Sequence, residues 1–437
     1  MAAVASYEDV ARATANWLRS VAITVDGGST WPVIPGETPG DEPSISLGWG
    51  STGPVLFLLE AYRTTGEHEW LVDAIAGGRW LLGALEDLPS DQTKFGLHTG
   101  LTGCAFVLSS LDDNTDDPRF KDAARTALRR VLDGADRDGN RLSWHGFTEV
   151  LWGTAGVGFS LLDLGKRLLG DEAIVAATGA GEWLLSQAED ARVGVRWSLG
   201  PGVVPNGLPE HLVNVRFPNF AHGTAGIAAF LARLSSETGD KRFLDVALAG
   251  MEWVDSTCRS EDGALAAFHH EPGATDEFTL GWCHGPPGLG WAFREIDLAS
   301  GTSRRAEIIA TAETLHASGI PTQREPGFWD NVARCCGSAS VAEYMLDVHT
   351  LTGDDRHLDF ARVMVDDLVG RSTTDASGTR WSNVEFRVDP PILPPQTTWL
   401  QGASGIGSTL LRLHRHLQGD EWVLRWPHAP RAWTPDA

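Results

Sequence analysis

The sequence predicts an all-α protein, an α/α toroid of seven helix-pair repeats joined by long loops. Three observations predict it: a short glycine motif occurs seven times, an apolar helical stretch follows the copies, and more polar helices lie between them. Self-similarity at a long period marks a repeat architecture, in which each unit buries its apolar face only against its neighbours.

The motif copies are Gly50-Ser-Thr-Gly53, Gly100-Leu-Thr-Gly103, Gly153-Thr-Ala-Gly156, Gly223-Thr-Ala-Gly226, Gly285-Pro-Pro-Gly288, Gly337-Ser-Ala-Ser340 and Gly402-Ala-Ser-Gly405. They lie 50–70 residues apart and fill the chain. After Gly226, the residues Ile227, Phe230, Leu231 and Leu234 follow the i, i+3, i+4, i+7 spacing of a helix face. The run Cys104-Ala-Phe-Val-Leu108 is apolar nearly all round, as in a helix buried on most sides. These form the inner set.

The outer set begins after a recurring turn: Thr65-Gly-Glu-His-Glu-Trp70, Thr238-Gly-Asp-Lys-Arg-Phe243 and Thr352-Gly-Asp-Asp-Arg-His357. Its glycine suits a helix C-cap and its acidic residue the start of the next helix. Outer helices are expected over 70–85, 243–254 and 357–369, and Trp17, Trp80, Trp183 and Trp253 fall in this set. The inner helices are too apolar to line a wet concave surface, which favours a closed ring over an open solenoid. The whole chain, 1–437, then reads as a single toroid domain. Loops 23–47, 191–221, 258–282 and 372–400 are long and rich in Gly and Pro, with short alternating pieces such as 193–197 suited to β-ribbons. Long ordered loops on one face of a scaffold usually carry function.

Composition narrows the function. Lys and Arg number 35 against 58 Asp and Glu, a net charge of −23 that disfavours nucleic acid and anionic lipid. There is no run of eighteen apolar residues, so no membrane span is expected. Residues 1–20 lack the basic and apolar regions of a signal peptide, and five cysteines are an odd count for a disulfide framework. A cytoplasmic protein with free thiols is expected.

The residues just before the motif are unusual in repeats four to six: His222, Cys283-His284 and Cys335-Cys336. Each opens an inner helix, and in a closed ring those ends converge on one end of the central cavity. Three thiols suit a Zn²⁺ ion with a fourth position open for substrate, and helix N-termini stabilise thiolates. Cys104 and Cys258 fit the alternative of buried, inert cysteine. His222 and His284 beside a metal are acid/base candidates, with His222 favoured because Cys283 constrains its neighbour. His222 could instead merely cap its helix. Glu149, four residues before Gly153, could orient a His, act in proton transfer, or be a solvated loop acid. His98 and His145 read as structural.

With these residues in place, the chain resembles the lanthionine synthetase C family, LanC-like relatives included. The resemblance rests on His222-Gly-Thr-Ala-Gly, Trp282-Cys283-His284-Gly-Pro-Pro-Gly and Cys335-Cys336-Gly, and it covers essentially the whole chain. It implies an α/α toroid with zinc at one end of the cavity. Cys283 and Cys335 match the family's first and second zinc cysteines. Cys336 stands where most members carry His, a three-thiolate variant. His222 matches the proposed acid/base His, His284 the Tyr-or-His after the first zinc cysteine, and Glu149 an acidic residue near the site. Ser340 departs from the usual glycine.

The resemblance implies a cyclase that adds peptide cysteine thiolates to dehydroalanine or dehydrobutyrine, forming lanthionine or methyllanthionine. Three thiolate ligands make the metal centre more negative than a His-containing set, and its bound thiolate the better nucleophile. The expected partners are a dehydrated precursor peptide and a separate dehydratase or kinase/lyase, since no extra dehydrating domain is read in the chain. Competing readings are an enzyme adding glutathione or another small thiol, a non-enzymatic zinc-containing peptide-binding protein, and a glycoside-processing toroid. The last needs paired carboxylates and leaves the cysteine register unexplained.

Overall fold

The computed structural model describes residues 6–434 except 37–43, 90–93, 201–214, 260–263, 267–278, 324–330, 385–390 and 423. Parts of the four long loops fall outside the described residues. Outer and inner helices alternate along the chain: α1 (Tyr7–Val21), α2 (Thr52–Thr65), α3 (His68–Asp87), α4 (Leu101–Asp112), α5 (Pro118–Asp133), then α6 (Thr154–Ser160) running through a π-helical turn (Leu161–Gly165) into α7 (Lys166–Leu169). There follow α8 (Asp171–Ser186), α9 (Thr224–Thr238), α10 (Lys241–Cys258), α11 (Pro286–Ser300), α12 (Arg305–Ala317), α13 (Ser338–Thr352), α14 (Asp355–Gly370) and α15 (Ala403–Gln418).

The two sets bury different amounts because their sequences differ. In α4 every residue from Leu101 to Leu111 is buried, and in α9 every residue from Thr224 to Ser235. Outer α5 buries only a stripe of Phe120, Ala124, Ala127, Leu128, Val131 and Leu132. The ring closes where α15 packs on α2 and α1 packs on α15. Left-handed glycines end inner helices at Gly66, Gly239 and Gly353, with φ of 72°, 75° and 70°. Asp240 and Asp354 cap the outer helices that follow, accepting from the backbone of Arg242 and Arg356. Glu67 departs from this pattern: its carboxylate accepts the Trp70 indole N–H at 2.7 Å instead.

The glycine motif is a close-approach device. A Cβ on Gly223 would sit 2.0 Å from the Phe217 carbonyl oxygen, and one on Gly226 2.0 Å from that of Phe220. The turn residues before each motif are thereby pressed onto the helix start. Ser340 replaces the last glycine without loss, because its hydroxyl donates to Gly337 O and accepts from Trp282 N–H at 3.2 Å.

Hairpins fill the loops above the outer helices. They are β1 (Ile23–Val25) with β2 (Gly28–Thr30), β3 (Asp136–Asp138) with β4 (Arg141–Ser143), β5 (Glu189–Asp190) with β6 (Val195–Arg196), β7 (Thr373–Asp375) with β8 (Gly378–Arg380), and β9 (Asn383–Val384) with β10 (Ile392–Leu393), all antiparallel. Four are followed at once by a buried tryptophan. Trp31, Trp144, Trp197 and Trp381 donate their indole N–H to Leu18, Val131, Leu184 and Leu368, the carbonyl thirteen residues earlier near the end of the preceding outer helix. Among the described residues no helix is long and apolar enough to cross a membrane.

Candidate metal and acid–base site

The residue two before each motif forms a rim at one end of the ring. Backbone N–H groups there donate to the equivalent carbonyl of the next repeat. Leu151 donates to Ala221 (3.2 Å), Ala221 to Cys283, Cys283 to Cys335, Cys335 to Leu400 and Leu400 to Gly48 (each 3.1 Å), and Gly48 to His98 (2.8 Å). This ladder fixes the register that the sequence repeats suggest. Cys283 and Cys335 occupy the rim position itself, and Trp152, His222, His284 and Cys336 the next one.

The rim brings Cys283, Cys335 and Cys336 together. Sγ of Cys336 is 3.0 Å from that of Cys335 and 3.5 Å from that of Cys283, and all three lie within 4.8 Å of one another. A tetrahedral ion with metal–sulfur bonds of about 2.3 Å spans sulfurs about 3.8 Å apart, so the spacing fits one ion. Cys283 and Cys335 are buried and Cys336 is partly open. The neighbouring thiols, then burial, push the Cys283 pKa well above its ordinary value. Once deprotonated, three sulfurs this close could hold a cation, and the donor set is that of a soft divalent ion. Cys104 and Cys258 are fully buried elsewhere, in α4 and at the end of α10, and burial pushes each up to about 12.

A second group adjoins the thiols. The His222 ring is 5.1 Å from that of His284, whose chain neighbour is Cys283. Glu149 is fully buried and is no solvated loop acid. Its carboxylate accepts the backbone N–H groups of Leu151 (3.0 Å) and Trp152 (2.6 Å) and bonds His222 Nδ1 at 3.0 Å. Asn219, which carried no sequence signal, ties the two imidazoles: its Oδ1 accepts the His222 backbone N–H at 2.9 Å, and its Nδ2 faces His284 Nδ1 at 2.6 Å. The first bond fixes which way the amide points, so Nδ2–H donates and His284 Nδ1 accepts. Trp152 and Phe217 pack against the imidazoles, with Trp152 4.9 Å from His222 and Phe217 5.7 Å from His284.

The remaining candidates lie apart from this group. His145 is exposed and stacks on Phe95. His98 is buried against Trp282, Trp426 and His428. That cluster forms a floor below the thiols, and a cavity of about 940 Å³ lies beyond it, lined by Trp291, Glu343, Arg412, Trp426 and Arg431 among others. Two of its carboxylates, Glu343 and Asp347, are engaged by Arg412.

A lanthionine synthetase C-like family model matches residues 42–422. Among solved structures, nisin cyclase matches with a TM-score of 0.63 at 14% identity, over 89% of this chain and 92% of that one. An unsaturated glucuronyl hydrolase specific for heparin matches with a TM-score of 0.50 at 10% identity, over 94% of this chain and 98% of that one. At these identities the likeness is one of fold. A search of curated protein sequences finds no match.

Proposed function

The chain belongs to the lanthionine synthetase C-like family, and from that premise we propose that it is a zinc-dependent cyclase acting on a dehydrated peptide. In this reading a peptide cysteine thiolate adds to a dehydroalanine or dehydrobutyrine, and the chain acts as one toroid unit. The observation that carries it is the three-thiol cluster beside a buried carboxylate–imidazole pair. Bound zinc would supply a thiolate at neutral pH from a substrate thiol whose ordinary pKa is about 8.5.

The chain's own residues divide the proton work. Addition of sulfur to the β-carbon forms the C–S bond and leaves an enolate, which takes a proton at the α-carbon. Glu149 engages His222 Nδ1 and so fixes the ring, leaving Nε2 as the nitrogen that would deliver the proton. His284 is held differently. Its Nδ1 accepts from Asn219, so the neutral ring carries its proton on Nε2 and suits donating a hydrogen bond from there, for example to the enolate oxygen, rather than taking the thiol proton. Trp152 and Phe217 shield the imidazoles from bulk water. A separate dehydrating enzyme would supply the substrate, and a cytoplasmic setting would keep the thiols reduced.

The test is to incubate zinc-loaded protein with a dehydrated, cysteine-containing peptide, with and without glutathione. Loss of free peptide thiol at constant mass is expected. Glutathione adducts without rings would move the activity to small-thiol addition, and no reaction with either would leave only a binding role.

A further inference from the structure

After α15 the chain turns back beneath the ring and enters its lumen. Leu424, Trp426 and His428 are buried there, with His428 only 3% exposed. Two arginines of the inner helices hold this strap by its backbone. Arg233 in α9, 2% exposed and paired with Glu295, donates to the carbonyls of Pro427 and Ala429, on either side of His428. Arg294 in α11 donates to Ala432 O at 2.8 Å and Thr434 O at 2.9 Å. Buried guanidinium groups inside an apolar helix layer are costly unless bonded, and here backbone carbonyls of the strap satisfy them.

The strap's first part packs against the thiol-bearing segments. The His428 ring lies 5.3 Å from that of Trp282, the residue before Cys283. The Trp426 ring lies 5.0 Å below the guanidinium of Arg334, the residue before Cys335, which also stacks on Trp399 and pairs with Glu343. Each of the two rim cysteines thus follows a residue backed by one strap side chain. Trp426 Nε1 and His428 Nδ1 have no hydrogen-bond partner among the described residues. Local bonding therefore does not explain their burial, and packing under Trp282 and Arg334 does.

We propose that Trp426 and His428 are positioning residues that set the height of Cys283 and Cys335 and thereby the affinity of the thiol site for its metal. The proposal rests on the metal reading given above. Residues that orient metal ligands typically contribute about 10–100-fold in metal affinity. The Trp426→Ala and His428→Ala variants of the full chain should bind zinc about 10–100-fold more weakly than the parent in competition with a chromophoric chelator. Cobalt(II) loading of the same variants should alter the thiolate-to-metal charge-transfer bands, and Trp426→Phe should restore them. Arg431→Ala, at the strap's exposed pair with Glu237, should leave both readouts unchanged.

Linkage supplies a measurement on the unaltered chain: if the strap favours metal binding, zinc must in turn protect strap amides over 424–434 from hydrogen exchange. Folded variants with parental affinity and spectra overturn the proposal. If the variants fail to fold, strap exchange unchanged by zinc overturns it, and zinc-dependent protection supports it. A parent that binds no zinc would instead overturn the metal reading itself.

Discussion

The rim has two arcs with one backbone and two chemistries. On one arc, the last two residues before the motif are Leu151-Trp152, Ala221-His222, Cys283-His284 and Cys335-Cys336; on the other they are Leu400-Gln401, Gly48-Trp49 and His98-Thr99. Hydrogen bonds of nearly equal length run through both. The glycines beneath both are equally confined, since a Cβ would meet a carbonyl oxygen at 1.9 Å on Gly100 and 2.0 Å on Gly223. The difference teaches that the motif builds the rim, while the residues just before it choose what the rim does.

The sharpest break of this comparison is Cys335→Ala. Two thiols remain, too few for a tight site, so near-stoichiometric zinc by elemental analysis should fall to background and cyclisation with it. Retained zinc would sink the ligand assignment. Next comes His222→Asn, which removes the proposed donor while leaving the thiols in place. Turnover should fall about 10²–10⁴-fold with zinc retained. His284→Asn should cost less; the reverse order would exchange the two roles. Zinc loss in His222→Asn would make His222 a ligand.

The same contrast explains what was legible in the sequence. Glycine motifs and thiol register are local and periodic, so the toroid and the meeting of Cys283, Cys335 and Cys336 could be read directly. The hairpin tryptophans could not. Trp31, Trp144, Trp197 and Trp381 keep a constant distance from a backbone carbonyl, which leaves no mark in the sequence, whereas their distance to the next glycine motif varies. Asn219 acts only through partners from two repeats and belongs to no pattern. The strap had a signal that repeat-based reading passes over: Trp422, Trp426 and Trp433 cluster in the short tail after the last motif's helix.

Substitutions that spare the chemistry test the shared backbone. Gly100→Ala and Gly223→Ala should each destabilise the fold, by about 2–4 kcal/mol, because a methyl group cannot be placed without moving a main-chain carbonyl. Chemical denaturation would measure both, and a large loss at one arc only would show that the rim is not one structure. Gln401→Ala, in the register of His222 and Cys336 on the inert arc, should change stability by less than about 0.5 kcal/mol and leave zinc content and cyclisation as they are.

The smallest effect concerns His98, the titratable side chain at the rim position of the inert arc. Burial, then the charge of Arg334, lowers its pKa from 6.5 to about 3. Both ring nitrogens lack partners among the described residues, so the folded protein holds this imidazole neutral. The unfolded chain takes up a proton near its ordinary pKa, and the folded chain does so only near 3. The stability contributed by the neutral form is therefore complete above about pH 6.5 and is lost as pH falls toward 3. At pH 5 the loss from this one group is about 2 kcal/mol. His98→Leu removes the titration while keeping an apolar side chain in the aromatic floor. Its stability should fall less steeply than the parent's between pH 7 and pH 5, by about that amount. Some slope should survive in the variant, because burial also lowers the pKa of His428 in the same floor. Parallel pH profiles for parent and variant would mean that His98 is not held neutral, and that the floor beneath the thiols is wetter than its packing implies.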